Sequence, residues 1–166
     1  MMKNKEQLFS VSFDKPIRIK LRVINEWDSE EETKDKKKYP FRLQEEVEVR
    51  IKTTVREFSF KIYESYKWNG ADIPRFLWWL GSSRDNDYAV ASMVHDYMLQ
   101  YKKEIFSEIL EETMFVYEYR RLTSLIFREI LKKHKMNVIK ANIEAWFVDL
   151  FQAFFNKKSW RILGEV

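Results

Sequence analysis

The residue types with the most capacity for chemistry lie between positions 69 and 96 of this chain. Asn69 and Gly70 are followed at once by Asp72, Pro74 and Arg75, and His95-Asp96 comes about twenty residues later. An imidazole beside a carboxylate suits a general base with its orienting partner, or a pair of ligands to a divalent metal. Arg75 is of the right type to pair with Asp72 or Asp96. Neighbouring residues on a helix point about 100° apart, so His95 and Asp96 converge on one point only with help from another element. The chain has 2 His, His95 and His134, and the second sits in Lys132-Lys133-His134-Lys135. A site with two histidine ligands is therefore not expected, and a site with one needs several carboxylates. With 0 Cys, thiolate ligands and disulfides are excluded. His95 is equally suited to a hydrogen-bonded structural role inside a helix layer.

The elements that must position these groups divide near residue 66. Before it, apolar and charged residues alternate with the period of a strand that has one wet face. Ile17, Ile19, Leu21 and Val23 alternate with Arg18, Lys20 and Arg22. Val47, Val49 and Ile51 alternate with Glu48, Arg50 and Lys52, and Phe58, Phe60 and Ile62 with Ser59 and Lys61. Phe9, Val11 and Phe13 give a shorter version. Between the first two long runs, Glu30-Glu31-Glu32 is followed by Lys34 to Lys38, and residues 28–38 read as a solvated charged loop.

After Pro74 the period becomes helical. Pro74 suits a first helical turn, with Asp72 just ahead as a cap. Asp85-Asn86-Asp87 starts a helix bearing Tyr88, Ala91, Ser92, His95, Met98 and Leu99. Ser107 is placed to cap a long helix running to about Lys133. A last helix, Val138 to Phe155, is apolar on most sides, which implies a central place in the core or burial by another subunit. Strands first and helices later predict an α+β fold: an antiparallel sheet followed by three to four helices packed on one face. One domain over 1–166 is expected, mainly strands over 1–66 and mainly helices over 67–166.

Composition narrows the classes of function. The formal charge is +4, from 30 Lys plus Arg against 26 Asp plus Glu, mixed along the chain. A dedicated nucleic-acid binder gathers its basic residues on one face, so nucleic acid is not an expected partner. No apolar run approaches the roughly 20 residues of a membrane span. The first residues lack the apolar core of a signal peptide. Aromatic residues make up 16% of the chain; they pack internally, or some also cover a partner surface, since aromatics are enriched where proteins meet.

The run Trp68-Asn69-Gly70-Ala71-Asp72-Ile73-Pro74-Arg75-Phe76-Leu77-Trp78-Trp79, followed by His95-Asp96-Tyr97, resembles the domain of unknown function 1353 family. The resemblance covers about residues 55 to 160. In that family the run is Asp-Gly-Ala-Ser/Thr-Ile-Pro-Arg, with a later His-Asp and an Ala-Asp pair on a helix. By that pattern Asn69 replaces an acid, Asp72 replaces a small hydroxyl residue and Ser124 replaces an acid, whereas Arg75, His95 and Asp96 match. The family is common in tailed phages and prophages. The resemblance therefore implies a phage- or prophage-encoded protein, found in the host cytoplasm during assembly or in the virion. An asparagine can ligate through its carbonyl oxygen but cannot act as a base, so two missing acids weigh against catalysis. The first expectation is a non-enzymatic virion or assembly component that binds other phage proteins or itself, with no cofactor. The alternative is a small hydrolase around His95 and Asp96, with a divalent metal. The strand-rich first 52 residues exceed what the resemblance needs and are a candidate docking surface.

Overall fold

The computed structural model describes residues 7–70, 86–110, 114–133 and 136–154. In chain order the elements are β1 (Leu8–Phe13), β2 (Ile19–Leu21), α1 (Glu30–Lys38), β3 (Phe41–Leu43), β4 (Val47–Thr53), β5 (Glu57–Ile62), β6 (Lys67–Trp68), α2 (Asn86–Gln100), α3 (Lys102–Glu104), α4 (Val116–Lys133) and α5 (Val138–Phe154). The fold is α+β, as the switch of period predicts. The strands form two small antiparallel sheets rather than one, ordered β1-β4-β5 and β2-β3-β6.

Alternation explains the first sheet residue by residue. Val47, Val49, Ile51 and Thr53 are buried while their β4 neighbours face outward, and Phe58, Phe60 and Ile62 do the same in β5. Val49 stands opposite Phe60 and Ile51 opposite Phe58, so large apolar pairs meet across the dry face. Glu48 faces Lys61 and Lys52 faces Glu57 across the wet one. The second sheet is shorter. Phe41 is paired with Trp68 and stacked on it, ring centroids 5.6 Å apart.

The charged stretch is a helix, not the loop expected over residues 28–38. Its charge order suits a helix dipole, with Glu30, Glu31 and Glu32 in the first turn and Lys36, Lys37 and Lys38 in the last. Ser29 accepts from the Glu32 amide while the Glu32 carboxylate accepts from the Ser29 amide, a complete capping box. None of its residues is buried. Asp35 ties it down by accepting from Arg22 of the strand side and from Lys67 of β6, each at 2.7 Å.

The helix layer is built on α4, which packs against α2, α5 and β1. Tyr119, Leu122, Ile126, Phe127, Ile130 and Leu131 are its buried face, and the Tyr119 hydroxyl donates to the Met98 carbonyl of α2 at 2.8 Å. The helix predicted from Ser107 onward is broken. α3 runs into a π-helical turn over Ile105–Ile109, so Ser107 lies inside a turn and α4 begins only at Val116. There the Glu118 carboxylate accepts from the Phe115 amide, closing the new N-terminus. α5 covers the predicted last helix to within a residue of its end.

Candidate functional site

α2 is apolar on nearly every side, with Ala89, Val90, Ala91, Met93, Val94 and Met98 all buried. His95 therefore enters a closed layer and is only 6% exposed. Its ring meets the Phe127 ring edge-on, centroids 5.8 Å apart. Its Nδ1 lies 3.5 Å from the Asp96 carboxylate, too far for a normal N–H···O bond. Its Nε2 is buried and has no hydrogen-bond partner among the described residues. Ser124, one turn before Phe127 on α4, is buried with its hydroxyl in the same condition.

A second buried polar pair lies deeper in the layer. Tyr88, two turns before His95, donates its hydroxyl to Glu144 of α5. Glu144 is 2% exposed, and its other carboxylate oxygen has no partner among the described residues. Burial pushes the Glu144 carboxyl above its ordinary range, against the opposing pull of the Tyr88 hydrogen bond and the Lys140 charge. α4 and α5 run antiparallel, with Arg120 paired to Asp149 at 3.3 Å. Stepping one turn inward from each member of that pair puts Ser124 at the axial level of Ala145, next to Glu144. The layer thus holds a serine, a histidine and a carboxyl with incompletely used hydrogen-bonding capacity among the described residues.

The end of the second sheet approaches the same helix. The Tyr66 hydroxyl donates to Gln100 at 3.1 Å, and Tyr97 packs on the Tyr66 ring at 5.1 Å. Burial raises the Tyr66 phenol above its usual value, and the negative charge of Asp96 adds to it. Asp96 is accordingly within electrostatic reach of the strand that leads into Asn69-Gly70. Asn69 itself is exposed. Gly70 is buried at φ 87°, a left-handed conformation that glycine adopts at least cost, so the position just after β6 favours glycine.

Of the residues singled out from sequence, the structure brings Asp96 towards the Tyr66–Trp68 strand end and encloses His95 between α2 and α4. It leaves Asn69 at the surface. Asp72, Pro74 and Arg75 lie outside the described residues, as does His134. No group of three or more His, Asp or Glu side chains is placed to hold a metal among the described residues. Glu144 and Tyr88 were not singled out. Their signal is an acid inside an apolar helix, and spacing alone does not say which face such an acid takes.

The family model described as protein of unknown function (DUF1353) matches residues 41–148. The matched span begins at β3, earlier than the motif-based estimate of 55, and ends inside α5 rather than near 160. β1, β2 and α1 precede it. No curated protein and no solved structure matches the chain.

Proposed function

This chain belongs to the DUF1353 family, and from that premise we propose that it is a phage- or prophage-encoded, non-enzymatic component of a virion or its assembly pathway that works by binding other proteins. The observation that carries this reading is the orientation of α5. Among its described side chains, the buried ones are Ala141, Glu144, Ala145 and Gln152, small or polar residues. Ile139 and Trp146, two turns apart on one face, are 68% and 58% exposed, with Val138 beside them, while Ile143, Phe147, Val148 and Leu150 are half-buried. A helix that buries a carboxyl while exposing a tryptophan is fitted to a second protein surface, since aromatic and aliphatic anchors dominate binding energy. Leu21, Val23, Ile24 and Trp27, on the segment that precedes the family region, are exposed as well. Partners are other phage proteins or a second copy. The test is the mass of the purified full chain in solution, with sedimentation alongside purified phage particles. Assembly beyond the monomer, or co-sedimentation with particles, is expected. A monomer at tens of micromolar with no particle association would end this reading.

The enclosed polar groups favour one second reading, a small hydrolase in which His95 is the base, Asp96 its partner and a divalent metal assists. Its support is that one helix layer holds both an unsatisfied imidazole nitrogen and the unsatisfied Ser124 hydroxyl. It requires the layer to open, because His95 is buried. Hydrolysis of any ester, amide or phosphoester substrate that is lost in His95→Gln would support it. Retention of full phage production in that variant would remove it.

A further inference from the structure

We propose that the outer edge of β2 receives an extended segment of a partner protein, in which apolar residues alternate with acids, as a further strand of the second sheet. This is one specific form of the protein binding proposed above and rests on it. β2 is the end strand of its sheet, and β3 is its one neighbour among the described strands. The register shows which backbone groups point outward. The Arg22 amide donates to the Pro40 carbonyl and the Gln44 amide donates to the Arg18 carbonyl, so Arg18, Lys20 and Arg22 turn their main-chain groups to β3. Ile19 and Leu21 therefore aim theirs away from the sheet, and these groups have no hydrogen-bond partner among the described residues. The edge of β1 is closed by contrast, since Val11 is buried and its carbonyl accepts from Lys133 of α4. β2 has no such cover, and Leu21 is 55% exposed.

A strand edge protected against association carries charge, a bulge or proline in place of apolar bulk. Here a single lysine stands among Leu21, Val23 and Ile24, all exposed, and Trp27 follows at 83% exposure. Trp27 is held out by a braced turn. The Asp28 amide donates to the Asn25 carbonyl, and the Asp28 carboxylate accepts from the Asn25 amide at 2.8 Å and from Lys36 of α1 at 2.6 Å. The free main-chain groups select an extended backbone, and a fixed tryptophan beside them supplies an anchor. The charges define the rest of the occupant. Arg18 is paired with Glu45 and Arg22 with Asp35, whereas Lys20 between them is exposed and has no ion-pair partner among the described residues. A second copy of the chain fits poorly. Outward-pointing residues pair with one another, so in any antiparallel register that overlaps two β2 strands Lys20 faces Arg18, Lys20 or Arg22 of the copy, and like charges directly opposite destabilise a sheet. A strand with an acid opposite Lys20 and apolar residues opposite Ile19 and Leu21 gains on both faces. β2 lies ahead of residues 41–148, so this receptor belongs to the part of the chain outside the family match.

The test selects a displayed library of short random peptides on the full-length chain. Enriched sequences should alternate apolar residues with acids, and bound peptide should slow hydrogen exchange at the Ile19 and Leu21 amides. The Leu21 amide makes no bond to β3, so Leu21→Pro removes an outward donor at a position where an edge strand tolerates proline. Affinity should fall roughly tenfold or more in Leu21→Pro, the loss expected when a carbonyl of the bound strand is left without its donor. Leu21→Thr, which keeps the amide, should bind more tightly than Leu21→Pro. Lys20→Glu, at an exposed position that leaves the fold untouched, should turn the selection from acidic to basic peptides, and it decides the matter if Leu21→Pro fails to fold. No enrichment, or affinity indifferent to a folded Leu21→Pro, or exchange protection only elsewhere, or an unchanged selection on Lys20→Glu, would overturn the proposal. A parent oligomer that Leu21→Pro disperses would make a second copy the occupant and overturn it as well. A partner complex that survives Leu21→Pro would remove this receptor while leaving the broader protein-binding reading intact. A chain that forms no protein complex at all would remove the broader reading.

Discussion

Glu144 is an acid whose neutral form is favoured by its surroundings, because burial penalises the charge more than Tyr88 and Lys140 offset it. Its folded-state pKa therefore lies above the ordinary value of 4.5. A group raised in this way contributes most below its unfolded pKa, and that contribution is lost as pH climbs through the folded value. Glu144→Gln keeps an acceptor for the Tyr88 hydroxyl but cannot ionise. The variant should be at least as stable as the parent at neutral pH and above, and should lose the decline that begins above pH 4.5. Thermal melts of both proteins from pH 4 to 9 check this, and parallel curves would show that Glu144 carries no such penalty. His95 gives a companion prediction. A buried nitrogen without a partner costs about 1–3 kcal/mol, and the ring otherwise makes an apolar contact with Phe127. His95→Leu should therefore stay within about 1 kcal/mol of the parent in denaturant unfolding, if the histidine serves packing. A drop beyond about 3 kcal/mol would mean that the imidazole holds bonds the layer depends on.

At the scale of elements, α1 stands almost alone. It is held by its own caps, by Lys36 donating to Asp28 at 2.6 Å, and by Asp35, whose carboxyl is kept below its usual range by the Lys67 and Arg22 hydrogen bonds. Ser29→Ala removes the capping box and should cost the helix about 1 kcal/mol. Since α1 buries nothing, the loss should appear as faster amide exchange in residues 30–38, with little change in the global melting temperature. A large global shift would show that α1 supports the core. The same helix shows where sequence is hard to read. A run of charges has no apolar period, so it resembles a loop. What marks it as a helix is Ser29 with Glu32 three positions on, and acids before bases. Strand alternation was legible in β4 and β5 because one face is dry and the other wet. β3 and β6 were not, since 3 and 2 residues are too few to show a period. The break before α4 was hidden because Leu110 and Met114 keep a helical spacing across it and are buried all the same. The site was half legible. His95 and Asp96 could be named from type and order, but nothing in the sequence told that α4 would close over the imidazole. Glu144 passed unnoticed because its burial depends on which side of α5 meets α4.

For the whole molecule, the decisive question is which side of α5 counts as its inside. Ala141 and Ala145 face α4 as small residues, and the helix leaves Ile139 and Trp146 at the surface. In an isolated monomer that arrangement wastes the burial of a tryptophan and an isoleucine, each worth about 1.5–3 kcal/mol when taken from water. A partner that covers them recovers the difference. The double substitution Ile139→Glu with Trp146→Glu separates folding from assembly. Both residues are exposed, so the variant should fold with stability within about 0.5 kcal/mol per site of the parent. Its assembly should fail: a parent oligomer should sediment as a monomer, and association with particles should fall by roughly a hundredfold, the loss of about 3 kcal/mol at a central anchor. Unfolding of the variant would instead place these residues in the chain's own core. Undiminished assembly of a folded variant would move the interface away from α5, towards Leu21, Val23, Ile24 and Trp27.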